Sequence, residues 1–350
     1  MDFGIGVATG VDAWSTVQRA EALGFSHAWF YDTQMLCADP FVAMAVAAVK
    51  TSRIRLGTGV LIPSNRIAPV VANAFASLSK LAPARLDFGV GTGFTGRNTM
   101  GLGAMRLDDL REHVRVVRAL LGGETVAWDF EGQRRQIRFL DPGMGLIDLA
   151  HPIPVHLSAF GPRARALAVE MADGVMHFVG RLASGLRDLA AMREACLSAQ
   201  RAPASLYTTS FTVGCVLREG EPADSVRARA QAGPFALTFF HALADGSLPM
   251  RVPTRLQPAV EAYRRMYSGY EPADARYLTL HKGHFMRVRP DEEKFLDADL
   301  LRDLSFTASA EELRERFCAL RDAGCRQVAI CLIPGEEGAL DDWARVIEKV

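Results

Sequence analysis

Short apolar runs bounded by Gly, Asp or Pro alternate along this chain with stretches in which apolar residues recur every three or four positions. The runs lie at 3–7, 27–31, 54–61, 86–91, 155–159, 174–179, 210–217 and 327–333 and predict eight β-strands. Between them, helical spacing over 14–23, 41–50, 68–81, 107–121, 163–171 and 310–323 predicts amphipathic helices. Strand followed by helix, repeated, is the pattern of a parallel sheet, and eight repeats predict one α/β unit over 1–350, a closed (βα)8 TIM barrel. Chemistry in such barrels sits where strands end and βα loops begin.

Two segments exceed what a minimal barrel needs. Residues 122–154 carry a predicted hairpin, 125–130 with 136–140 around Glu131-Gly132, on the side away from the chemistry. Residues 232–307, between strands seven and eight, hold Phe235, Phe239, Phe240, His241, Tyr263, Tyr267, Tyr270, His281 and His284. This insertion follows a strand's C-terminal end, so it is either a lid over the barrel mouth or an oligomer-forming decoration.

The composition is ordinarily globular, 49% hydrophobic and 23% charged. Forty Lys and Arg balance 40 Asp and Glu, so no net field draws nucleic acid or an acidic membrane surface, and the expected partner is a small molecule. No apolar stretch is long enough to span a bilayer and residues 2–7 read as a strand rather than a secretion signal, so a cytoplasmic protein is expected. Six cysteines without a C-x-x-C pair read as reduced thiols.

Gly91-Thr92-Gly93-Phe94-Thr95-Gly96 follows a strand and matches the dinucleotide fingerprint. A polar loop, 97–106, separates it from the next helix, whereas a Rossmann unit opens its helix on the glycines themselves. The glycines therefore either admit a flat or phosphorylated ligand to the backbone or make a structural turn. Ser158-Ala159-Phe160-Gly161-Pro162 ends strand five and starts a helix, so backbone amides and a positive helix end converge there as a phosphate seat. Gly180, ending strand six, adjoins this seat; Arg163, Arg165 and Arg181 are nearby cations or solvent-facing side chains.

Together with Ile54 to Pro63, Asp32-Thr33-Gln34 and Ala172-Asp173-Gly174-Val175, these motifs resemble the bacterial luciferase-like superfamily over nearly the whole chain. Its members bind reduced flavin or a deazaflavin analogue. The resemblance implies a cis peptide between Gly59 and Val60 behind the tricyclic ring, Thr92 at the ring or ribityl chain, Ser158 with the next amides at the phosphate, and Asp32 bordering the ring. Thr33 stands where many members carry a histidine, and Phe94 where sugar-phosphate deazaflavin dehydrogenases carry a glutamate, which argues against that substrate class.

An apolar or aromatic substrate is expected against Met35, Leu36, Phe94, Phe239 and Phe240, with His241, His281 or His284 as acid–base groups and His177 as a core histidine. A metal is not expected, because His281 and His284 lack a third ligand at a persuasive spacing, and the strand ends lack the His and Asp clusters of a hydrolase barrel. The first functional reading is a two-component monooxygenase using O2 and reduced FMN from a separate reductase, since no nicotinamide site is recognisable. The alternatives are a deazaflavin-dependent hydride-transfer enzyme and a non-catalytic flavin-binding protein. Apolar outer helices suggest a homodimer.

Overall fold

The computed structural model describes residues 1–247 and 252–350. Eight parallel strands close into a barrel in sequential order: β1 (Asp2–Val7), β2 (His27–Phe30), β3 (Arg55–Thr58), β4 (Leu86–Val90), β5 (Val155–Ser158), β6 (Gly174–Phe178), β7 (Tyr207–Thr212) and β8 (Gln327–Cys331), with β8 pairing back on β1. The predicted TIM barrel is therefore the observed one.

Outside it lie α1 (Trp14–Ala22), α2 (Pro40–Lys50), α3 (Ala68–Leu81), α4 (Leu107–Leu121), α5 (Pro162–Met171) and α6 (Leu182–Ser198). α2 begins where Asp39 accepts from the amides of Phe41 and Val42 and Pro40 fills the first helical position, a start readable from sequence. The hairpin pairs Val126–Phe130 with Gln133–Ile137. Glu131 and Gly132 both have positive φ, 54° and 71°, as its two-residue turn demands.

Three strand boundaries differ from expectation: β3 ends at Thr58 rather than at 61, the hairpin's second strand is Gln133–Ile137 rather than 136–140, and β7 is shifted most. β7 starts at Tyr207 and leaves the barrel after Thr212, and residues 216–217 instead pair with 308–309 in a separate two-stranded ladder. At Gly214 a Cβ would lie 2.1 Å from the Phe306 carbonyl oxygen, so the apolar run continues past the strand only because the returning chain packs on its backbone there.

The insertion folds into α7 (Val226–Asp245, capped by Ser225), α8 (Gln257–Ser268) and α9 (Ala298–Leu304), and α10 (Ala310–Asp322) and α11 (Ala339–Ile347) complete the outer layer. Two large apolar cores result. One lies mostly between the barrel and its outer helices. The other unites barrel residues Trp29, Met176 and Phe211 with Leu237, Phe240 and Leu300 of the insertion, so the insertion is a lid built onto the mouth.

At the opposite end, the floor is a buried polar layer. Arg55 donates from Nε and Nη2 to both oxygens of Asp87, at 2.8 and 3.0 Å, and His156 Nε2 lies 3.2 Å from Asp87 Oδ1. Burial opposes ionisation of Asp87, but the bonds from His156 and Arg55 hold its carboxyl well below the usual range. Burial pushes the neighbouring His27 down to about 4.

Candidate functional site at the barrel mouth

Three strand ends meet in one place. Past β3 the chain turns at Gly59–Val60, a cis peptide, and then rejoins β4: Leu61 N–H donates to Gly89 O at 2.8 Å and Gly91 N–H to Leu61 O at 3.2 Å. A Cβ on Gly91 would lie 3.0 Å from both Ser158 Cβ and Val60 Cγ2, so glycine lets β3, β4 and β5 close on this point without displacing either neighbour. Thr92, next in the chain, and Ser158, whose hydroxyl would lie 3.7 Å from that Cβ, are each half-buried beside it. α5 starts four residues after Ser158 with Gly161 as its N-cap and no side chain capping its first amides, which leaves that positive helix end available to an anion.

The other glycines of the Gly91 loop are explained by nesting. Gly93 has φ +77°, and a Cβ on Gly96 would sit 2.4 Å from Ile62 Cδ1 and 2.9 Å from the Asp32 carbonyl oxygen. Gln34 ties the same loops together by donating to Gly96 O at 2.8 Å while accepting from Asn65 Nδ2 at 2.8 Å.

Several residues singled out in the sequence take other places. Asp32, 1% exposed in its side chain, accepts from Ile62 N–H (2.9 Å), Asn65 Nδ2 (3.3 Å) and Arg66 Nη1 (3.0 Å); it clamps the loop after β3 with its carboxylate already engaged. Ala159 N–H donates to Met176 O at 3.0 Å as part of the barrel ladder, so it is withdrawn from the expected phosphate seat. Phe160 and Gly161 remain at that seat, with the Phe160 ring 59% exposed.

A Cβ on Gly180 would lie 2.6 Å from Leu304 O, and Arg181 Nε donates to Asp303 O. This glycine makes room for the lid's α9 rather than for a phosphate. Arg165 pairs with Asp188 at 2.6 Å, and Arg97 donates to Ser64 Oγ at 2.6 Å. His177 is buried and bonds Ser210 Oγ at 2.7 Å, as a core histidine.

Of the expected substrate residues, Met35 and Phe94 stand exposed on βα loops. Phe240 does not line a pocket: it is 1% exposed within the lid and stacks on Tyr263 at 5.3 Å, with Phe239 edge-on against it. α7 turns the faces of these two adjacent residues apart, and the face carrying Phe240 is the one buried.

The aromatic side chains that do roof the mouth are Tyr31, Phe178, Phe235 and Phe285. Phe178 stacks on Phe235 with centroids 4.4 Å apart, and Phe285 meets Phe178, Phe235 and Tyr31 edge-on at 6.0, 5.6 and 5.8 Å. Phe178 closes β6, so the strand-end rule could have found it; nothing local marks Phe285.

The lid histidines, expected as acid–base groups, are brought together in the lid interior. His241, His281 and His284 are each 3% exposed. His284 Nδ1 lies 2.8 Å from His241 Nδ1 and 3.1 Å from His281 Nδ1, while His241 Nε2 lies 2.7 Å from Glu292 Oε1. Their partners are thus one another and lid carboxylates rather than groups at the strand ends. The third imidazole that the local spacing lacked comes from α7, 43 residues before His284.

The luciferase-like monooxygenase family model matches residues 10–327. A 5,10-methylenetetrahydromethanopterin reductase of Methanolobus tindarius is 31% identical over 45% of this chain and 47% of its own length. An F420-dependent glucose-6-phosphate dehydrogenase of Nakamurella multipartita is 34% identical over 45% of this chain and 48% of its own. The chain therefore spans about half the length of these curated relatives in the matched regions. In structure, the coenzyme F420-dependent tetrahydromethanopterin reductase of Methanopyrus kandleri superposes with a TM-score of 0.72 over 98% of this chain and 97% of that one, at 19% identity, a likeness of fold. With the family model spanning most of the barrel, this chain belongs to the luciferase-like monooxygenase family of oxidoreductases.

Proposed function

We propose that the chain is a deazaflavin-dependent oxidoreductase that moves a hydride between an F420-type coenzyme and a small apolar or aromatic substrate. The observation that carries this reading is the junction of Val60, Gly91 and Ser158 beside the uncapped start of α5, a glycine-lined cradle next to an anion seat. These residues fit a tricyclic ring with a ribityl phosphate. F420 is chosen over FMN because the relatives just described are named for it or superpose on an F420 enzyme.

When bound, the deazaflavin supplies a ring carbon that gives or takes the hydride. The chain supplies the rest. Val60 would back the ring, Thr92 would bond it or its ribityl chain, and Ser158 with the first α5 amides would hold the phosphate. Phe178, Phe235 and Phe285 keep water from the reacting face. Arg163, exposed in the first turn of α5, is in no ion pair among the described residues and can meet a carboxylate of the coenzyme tail. Phe94, 42% exposed on the β4 loop, and the absence of an acid there disfavour a sugar phosphate.

The second reading, oxygenation with O2 and reduced FMN from a separate reductase, is favoured by the closed aromatic roof, which would keep water from the oxygenation. Fluorescence titration of the purified chain with F420 and with FMN decides between them. Tight F420 binding with FMN at least about tenfold weaker, or about 1.4 kcal/mol, is expected. FMN binding without F420 binding overturns the deazaflavin reading. Val42 and Val49 on α2 and Val70 on α3, 52%, 62% and 50% exposed, support a homodimer through these neighbouring helices.

A further inference from the structure

The lid histidines present an arrangement that hydrogen bonding alone satisfies poorly. His241 Nε2 faces Glu292 Oε1 at 2.7 Å, a contact that requires a proton on that nitrogen and leaves Nδ1 of the neutral ring as a bare lone pair. His281 Nε2 lies 3.3 Å from Asp245 Oδ2, and its Nδ1 also points to His284. His284 Nδ1 thus has two imidazole nitrogens in reach, at 2.8 and 3.1 Å, but carries one in-plane hydrogen at most. A nitrogen of each ring lies within 4.8 Å of the others. Tetrahedral coordination at about 2.0–2.1 Å would set such nitrogens about 3.3 Å apart, near the 2.8 and 3.1 Å that His284 Nδ1 makes with its two neighbours, while His241 and His281, within 4.8 Å of each other, would draw together around an ion.

We propose that His241, His281 and His284 form a three-imidazole site for a zinc-class divalent cation, which clips α7 to the segment carrying Phe285. Neutral imidazoles suit Zn2+ and its neighbours in the transition series. A buried dication needs countercharge, and two carboxylates stand behind the ligands. Glu292 is held by His241, by Tyr263 Oη–H at 2.5 Å and by Arg289 Nη2 at 3.0 Å, and Asp245 faces His281. A carboxylate behind a ligating imidazole fixes the ring and raises its basicity. The three ligands come from two lid segments, so the ion would act as a cross-link. His284 directly precedes Phe285, which meets Tyr31 and Phe178 at the mouth, so the clip would hold the roof in place.

The test uses the full chain, stripped with a chelator and then titrated with Zn2+ against a chromophoric competitor, with Co2+ as a spectroscopic substitute. About one equivalent per chain is expected, together with the visible bands of tetrahedral nitrogen-bound Co2+ and a melting temperature raised by several degrees on Zn2+ addition. His284→Gln and His281→Gln each place an amide away from the Nδ1 position and should abolish the metal-dependent rise in melting temperature. The Co2+ spectrum of the unaltered chain reads the same site if either variant misfolds. Less than about 0.1 equivalent bound at micromolar Zn2+, or a metal-dependent rise that survives both substitutions, overturns the proposal.

Discussion

Asp32→Ala separates a residue that positions the site from one that binds the coenzyme. Its carboxylate, 1% exposed, accepts from Ile62 N–H and from Arg66, whose side chain is 15% exposed and keeps a second partner in Asp39 at 2.6 Å. Truncation leaves the buried Ile62 amide unpaired, at about 1–3 kcal/mol, and removes one of the two carboxylate partners of a largely buried guanidinium. Because Arg66 retains Asp39, the total falls at the low end of the about 3–5 kcal/mol expected for a broken buried pair. Unfolding entropy of about 2.1 cal/mol/K per residue gives about 0.7 kcal/mol/K over 350 residues, so about 3 kcal/mol lowers the melting temperature by about 4 °C. Asp32→Asn, which keeps an acceptor for Ile62, should cost about half as much. The assay is thermal unfolding of the coenzyme-free protein. A residue whose only task is to touch the coenzyme leaves that melting temperature unchanged, so a shift below about 1 °C for Asp32→Ala refutes the clamp.

Ser158→Ala should weaken F420 binding by about tenfold or more, the worth of one hydrogen bond to a charged phosphate, and unchanged affinity in a fluorescence titration removes the serine from the seat. Gly180→Ala should lower the melting temperature of the coenzyme-free chain, because its Cβ would meet Leu304 O at 2.6 Å; an unaltered melting temperature would mean that the space is open. Burial alone holds His113 of α4 down to about 4, below its ordinary 6.5. The unfolded chain therefore takes up that proton first as pH falls, and the fold loses stability between 6.5 and 4, by about 2 kcal/mol at about pH 5. His113→Leu should flatten the urea-midpoint profile over that range, and a profile parallel to that of the parent chain contradicts the assignment.

The barrel was readable because most strands announce themselves locally, by an apolar run between breakers, and the Glu131-Gly132 turn placed the hairpin, though its second strand starts at Gln133 rather than at 136. β7 runs earlier than expected because its first four residues, Tyr-Thr-Thr-Ser, are polar by composition, while the apolar residues after Thr212 belong to the chain's exit from the barrel. The strand-end glycines were recognisable as close approaches, but what approaches them was not: Gly91 meets Ser158 and Val60, whereas Gly180 meets α9 from more than 120 residues away. The histidine cluster was hidden for the same reason. Helical and strand periodicities report on neighbours along the chain, and His241 joins His284 only when α7 folds back over the mouth.

The apolar cluster shared by Trp29, Met176 and Phe211 with Leu237 and Phe240 gives the cover no independent existence. Swinging it away as a rigid flap would hydrate the upper interior of the β-cylinder, a cost that favours exchange sideways, along the rim where Phe94 and Phe160 already stand in water. Traffic through such a gate would be governed by side-chain rotation at the rim rather than by hinge motion, and exchange kinetics should respond to substitutions there while leaving the stability of the cover untouched.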